Sequence, residues 1–291
     1  MRIGTFLPTY WTNYGSAGRR TAIEETAKAA QALGYESLWA NDHIIAPATQ
    51  APMGYIIEPL ITLASLVHLV PEVRLGTSTL VLPQRNAILV AKQVAALDVL
   101  SGGRVILGIG AGWLAEEFAF LGADFAQRGA VTDEAIGVLR ALWNDTPASF
   151  HGRFYDFADA VCEPRPTGPI PLWLCGSAPA MLRRAARFGN AWNPFGPSLP
   201  AYTAGVATLR RAADERMPLL SAHLRIRIGD TAHPNAHVAG TAEEVAAALH
   251  GYREAGMAYL ICDFVADGLG DLLEQMQVMA ERIAPQLVAA L

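Results

Sequence analysis

The chain has 291 residues, 52% hydrophobic and 17% charged, with a formal net charge of −5 at pH 7. That apolar share supplies a sizeable core and excludes a long disordered arm. The acidic balance and scattered Lys and Arg exclude a basic field for nucleic acid, and no apolar run approaches the roughly 18 residues of a membrane helix.

Such a length fits a single α/β domain over residues 1–291, a (β/α)8 TIM barrel of about 250 residues with some insertion. The N-terminal stretch lacks a charged start followed by an apolar run, so a soluble, unexported, cytoplasmic protein is expected. Cys162, Cys175 and Cys262 stand far apart with no CxxC, which argues for a reducing compartment and against a disulfide framework. The histidines form no HExxH, so no metal site is expected.

Short β-branched runs alternate with segments of helical period, as parallel βα units require. The expected strands are Arg2–Leu7, Ser37–Ala40, Val73–Leu80, Val105–Ile109, Pro171–Leu174, Ala191–Trp192, His223–Ile228 and Tyr259–Phe264, the Ala191–Trp192 run being the least regular. The expected helices are Arg19–Leu33, Glu58–Leu69, Asn86–Leu100, Asp133–Trp143, Pro179–Phe188, Leu199–Glu215, Glu243–Ala255 and Asp267–Ile283. Gly34 and Ser101-Gly102-Gly103 supply stops, Pro59 a first turn, and Thr241 with Glu244 a capping box. Two segments break the rhythm. Asn144–Gly168 is expected as an insertion over the barrel mouth, at its C-terminal face, and Asp230–Ala239 as a second long loop.

A barrel of this kind builds its chemistry where strands give way to loops. After the first strand come Pro8-Thr9, with Trp11 in the loop beyond. After the second, Asn41-Asp42-His43 sets an imidazole beside a carboxylate, a pair able to move a proton near neutral pH; an exposed loop with Asp42 as a cap is the bland alternative. Ser78-Thr79 ends the third strand. Gly110-Ala111-Gly112-Trp113 ends the fourth as half of a dinucleotide fingerprint, and its glycines permit close approach of a flat ring. Gly176-Ser177-Ala178 precedes a helix with Pro179 in its first turn, either a cradle for a phosphate or an ordinary N-cap by Ser177; Cys175 reads as core. Asn193 and Asp263 complete the set. A barrel lyase or isomerase would want a lysine or paired carboxylates at these ends, and a binding protein without catalysis would use the same pocket with an idle His43.

The order WANDH, EPLITLASL, RLGTSTLVLPQRN, AKQVAALDVLSGGRVILGIGAGW, RG then DEAIGVLRALW, PIPLWLCGS and RRAARFGNAWNP resembles the luciferase-like monooxygenase superfamily over nearly the whole chain. The compact length looks like the branch that uses coenzyme F420, with FMN and an oxygen-using monooxygenase as the alternative. The resemblance implies a flavin-like ring across the barrel mouth touching Asp42, His43, Ser78, Thr79, Gly110, Ala111, Gly112 and Trp113. It also implies a cis peptide at Ser78–Thr79 and a phosphate tail at Gly176, Ser177 and Ala178. His43 and Asp42 are then the expected catalytic residues. Relatives that oxidise sugar phosphates carry a glutamate where this chain has Trp113, so a more apolar carbonyl, alcohol or activated alkene is the expected small-molecule substrate. Relatives pair through the outer helices near the second and third strands, which implies a homodimer.

Overall fold

A computed structural model describes residues 1–10, 15–213, 216–229 and 233–287. Trp11, the Glu215 end of the expected seventh helix and part of the Asp230–Ala239 loop lie outside these residues. In chain order the elements are β1 (Arg2–Phe6), α1 (Gly15–Ala32), β2 (Ser37–Ala40), α2 (Pro59–Leu66), β3 (Arg74–Thr77), β4 (Leu80–Val81), α3 (Ala87–Ser101) and β5 (Val105–Gly110). They continue with α4 (Ala115–Phe120), α5 (Arg128–Asn144), β6 (Ala148–His151), β7 (Asp156–Ala160), β8 (Leu172–Cys175), α6 (Pro179–Phe188), β9 (Ala191–Asn193) and α7 (Leu199–Ala212). The last are β10 (Leu219–Ile228), β11 (Val238–Gly240), α8 (Ala242–Glu254), β12 (Tyr259–Phe264) and α9 (Leu269–Val278).

Parallel pairing runs β1-β2-β3-β5-β8-β9-β10-β12 and returns from β12 to β1, which closes the sheet into the expected barrel. The period-2 alternation of strand side chains sorts two cores. Phe6, Trp39, Ile106, Trp173, Tyr259 and Ile261 point inward and fill the lumen. Leu38, Leu75, Leu107, Leu174, Leu260 and Cys262 point outward against the helices. Trp39 and Trp173 meet with centroids 4.8 Å apart, and Tyr259 meets Trp173 edge-on at 4.9 Å. Trp39 fits because the flanking strands carry Gly4 and Gly76, where a Cβ would stand 2.5 Å from the indole.

The helix signals work as the residues suggest. Asn86 accepts from the backbone N–H of Ile88 and Leu89, Gly102 closes α3 in the left-handed region, and Thr241 with Glu244 forms both bonds of a capping box. Two expectations need correction. The Val73–Leu80 run is two strands, β3 and β4, each paired with β5, and the cis Ser78–Thr79 peptide lies between them. The 144–168 insertion does not cover the barrel mouth. Its β6–β7 hairpin lies outside, on α3 and α5, where Glu134 accepts from the backbone N–H of Arg153, Phe154 and Tyr155, and the Tyr155 hydroxyl accepts from Ala87 N. The carboxylate of a neighbouring helix satisfies the hairpin tip and ties it there.

Candidate active site

The strand ends and the loops beyond them enclose a cavity of about 830 Å³. Asp42, His43, Ser78, Thr79, Gly110, Ala111, Gly112, Trp113, Gly176, Ser177 and Ala178, from four different βα junctions, all line it, together with Asn41, Asn193 and Asp263.

Asp42 and His43 turn in different directions. The Asp42 carboxylate accepts from Val81 N at 3.0 Å and from Arg85 Nη2 and Nε at 2.6 and 3.1 Å, while Glu58 meets Arg85 Nη1 at 3.1 Å. His43 instead pairs through Nδ1 with Oε2 of Glu117 at 2.9 Å, and Oε1 of Glu117 accepts from the backbone N–H of Ile44 at 2.7 Å. Burial pushes the Glu117 carboxyl upward, but hydrogen bonds from His43, Ile44 and Gln84 and the His43 charge together hold it below the usual carboxylate range. Trp113 stands edge-on to His43 at 5.9 Å and is 59% exposed, so it forms the rim.

One strip of the wall is the Gly110-Ala111-Gly112 turn. A Cβ on Gly110 would lie 2.4 Å from Cγ2 of Thr79, and Gly112 has φ +81° with Phe118 and Val81 crowding its α-carbon. The glycine turn therefore packs directly against the Thr79 side chain, a close approach that a side chain at Gly110 would block.

At the Gly176-Ser177-Ala178 end, the N-cap of α6 is Ala178 rather than Ser177 and provides no side-chain acceptor. The ordinary capping alternative is therefore not realised; Pro179 carries no N–H and Met181 N donates to Ala178 O at 2.8 Å, which leaves the Ala180 N–H of the first turn for an anion. Arg128 and Arg184 line the same cavity. Arg184 is held by Asp133 at 2.6 Å, and the Arg128 guanidinium sits 3.8 Å over the Phe125 ring. Cys175, expected in the core, lies on the cavity wall instead, where burial pushes its thiol up against hydrogen bonds from Thr79, Asn193 and Ser78.

A second polar group, from β10, β12 and the loop after β1, lines the same cavity. Asp263 accepts from Tyr10 OH at 2.7 Å and from Arg225 Nε at 3.3 Å, and lies 3.5 Å from His223 Nε2. Burial raises the Asp263 carboxyl, yet His223, Arg225 and Tyr10 outweigh it and keep the group low. His223 stacks on Phe6 at 4.5 Å and meets Phe195 edge-on, while Ser78 accepts from Asn193 at 3.0 Å beneath it.

Sequence reasoning missed Glu117, Tyr10, His223, Arg225, Arg128 and Arg184. Glu117 sits in the first turn of a six-residue helix directly after the glycine turn, and an acidic first turn is a usable signal. His223 and Arg225 alternate on one face of β10, which only the strand register reveals.

The luciferase-like monooxygenase family matches residues 1–259 of the chain. The F420-dependent glucose-6-phosphate dehydrogenase of Amycolatopsis mediterranei is 31% identical over 179 residues, which cover 60% of this chain and 53% of the dehydrogenase. Among solved structures, the monooxygenase RslO1 from Streptomyces bottropensis superposes with a TM-score of 0.86 at 20% identity, covering 99% of this chain and 100% of that one. An F420-dependent secondary alcohol dehydrogenase in complex with an F420–acetone adduct reaches 0.83 at 18% identity, covering 99% of both chains. At these identities the two structures speak for the shared fold.

Proposed function

Because the chain belongs to the luciferase-like monooxygenase family, we propose that it is an oxidoreductase that seats coenzyme F420 in the barrel mouth and exchanges hydride with a small organic substrate. One observation carries the reading. A single cavity joins a glycine turn, an imidazole hydrogen-bonded to a buried carboxylate, a helix N-terminus without a side-chain cap, and two arginines.

The residues fit such a cofactor. Ser78, Thr79, Gly110, Ala111 and Gly112 would support the ring, and Gly176, Ser177 and Ala178, with Arg128 and Arg184, would hold its anionic tail. F420 is favoured over FMN because the curated relative at 31% identity carries F420-dependence in its name. When bound, the deazaflavin supplies hydride transfer; the protein supplies position and protons.

His43 would hold or accept a proton at Nε2, the ring nitrogen not engaged by Glu117. Asp42, tied to Arg85 and Val81, would fix the loop that carries His43 rather than take part in proton transfer. Trp113, Met53, Phe6 and Phe195 give the cavity an apolar rim and walls, which favours an apolar alcohol or carbonyl as substrate.

The test is an anaerobic assay of F420 turnover against a panel of secondary alcohols and ketones, with the His43→Ala variant alongside. The variant is expected to bind F420 within about threefold of the parent and to lose roughly 10²–10⁴-fold in turnover. Equal turnover in both proteins would leave His43 without a catalytic role.

A further inference from the structure

Each oxygen of Glu117 has a separate task. Oε1 accepts from the backbone N–H of Ile44 at 2.7 Å and of Ile45 at 3.3 Å, while Oε2 meets Nδ1 of His43 at 2.9 Å. The side chain is 1% exposed, so water does not compete for these bonds. An ionised carboxylate only accepts, which places the ring proton on Nδ1 and leaves a lone pair on Nε2 when the imidazole is neutral.

We propose that Glu117 is the positioning residue of the site. It fixes His43 as the Nδ1–H tautomer, presents Nε2 to the cavity as a proton acceptor, and stabilises the imidazolium that forms when Nε2 is protonated. The inference rests on the acid–base reading of His43 above and narrows its substrate to an alcohol and carbonyl pair. In the oxidising direction Nε2 would take the hydroxyl proton as the carbon bearing that hydroxyl gives up hydride, which bound deazaflavin would accept, leaving a C=O bond. In the reducing direction the proton returns from Nε2 to the carbonyl oxygen. Glu117 touches neither substrate nor cofactor and acts only through His43.

Glu117→Gln separates this role from simple packing. The shape is kept, and Ile44 and Ile45 still require an oxygen at the Oε1 position, so the amide nitrogen must face His43 Nδ1. An amide nitrogen only donates. Nδ1 then becomes the acceptor and the ring proton moves to Nε2, the wrong tautomer for accepting a substrate proton.

Long-range 1H–15N spectra of the histidine rings in the cofactor-free protein read this directly, with His43→Gln identifying the resonance. The expected result is a proton on Nδ1 in the parent and on Nε2 in Glu117→Gln. Turnover should fall about 10²-fold or more while KM stays within a few-fold. The same tautomer in both proteins, or unchanged turnover in the variant, overturns the proposal. A tautomer switch in a protein that fails to bind F420 upholds the positioning role and rejects the cofactor reading alone.

Discussion

The Asp42 carboxylate accepts one backbone and two guanidinium hydrogen bonds, with its side chain fully buried and that of Arg85 13% exposed. Removing one partner of such a pair leaves a charge stranded away from water, at a cost of about 3–5 kcal/mol. Asp42→Ala is therefore expected to lower the urea midpoint at unchanged m-value, by a shift that corresponds to about 3–5 kcal/mol; a stable variant that has lost turnover would return Asp42 to the chemistry. The sequence set Asp42 beside His43, and that adjacency suggested a shared task. Neighbouring side chains in an irregular loop point apart, however, and only the third dimension shows that Arg85 claims one and Glu117 the other. His43 itself was legible because a titratable group at a barrel strand end has few bland uses.

At the scale of elements, the β6–β7 hairpin shows what a composition-based reading can and cannot reach. Its length marked it as unusual, but its destination depended on Glu134, which lies on α5 and whose carboxylate approaches the chain at Gly152, 2.3 Å from where a Cβ would sit. Charged acceptors for backbone N–H groups contribute about 1.5–3 kcal/mol each when buried, less where water can substitute. Glu134→Ala is expected to speed amide hydrogen exchange at Arg153, Phe154 and Tyr155 while leaving cofactor affinity unchanged. A loss of affinity would instead couple the hairpin to the barrel mouth. The helix ends were legible because Asn, Thr, Gly and Pro punctuate them locally. The break between β3 and β4 was not legible in strand propensity; the cis peptide at Ser78–Thr79 that lies between them was reached through family resemblance alone.

At the scale of the whole molecule, alternating apolar runs and helical periods sufficed for a closed eight-stranded barrel, since each unit is specified locally and right-handed closure does the rest. The irregular Ala191–Trp192 run was enough for β9, which is held by pairing to β8 and β10 on both sides. The second polar group, Tyr10, His223, Arg225 and Asp263, was mostly illegible because its members come from chain positions far apart and meet only after closure. The central claim, that this mouth is built for a deazaflavin, is tested most directly by titrating the purified protein separately with F420 and with FMN and following cofactor fluorescence. Saturable F420 binding about tenfold or more tighter than FMN is the expected result. Tighter binding of FMN would contradict it and move the protein to the oxygen-using monooxygenases, and binding of neither would remove the cofactor assignment altogether.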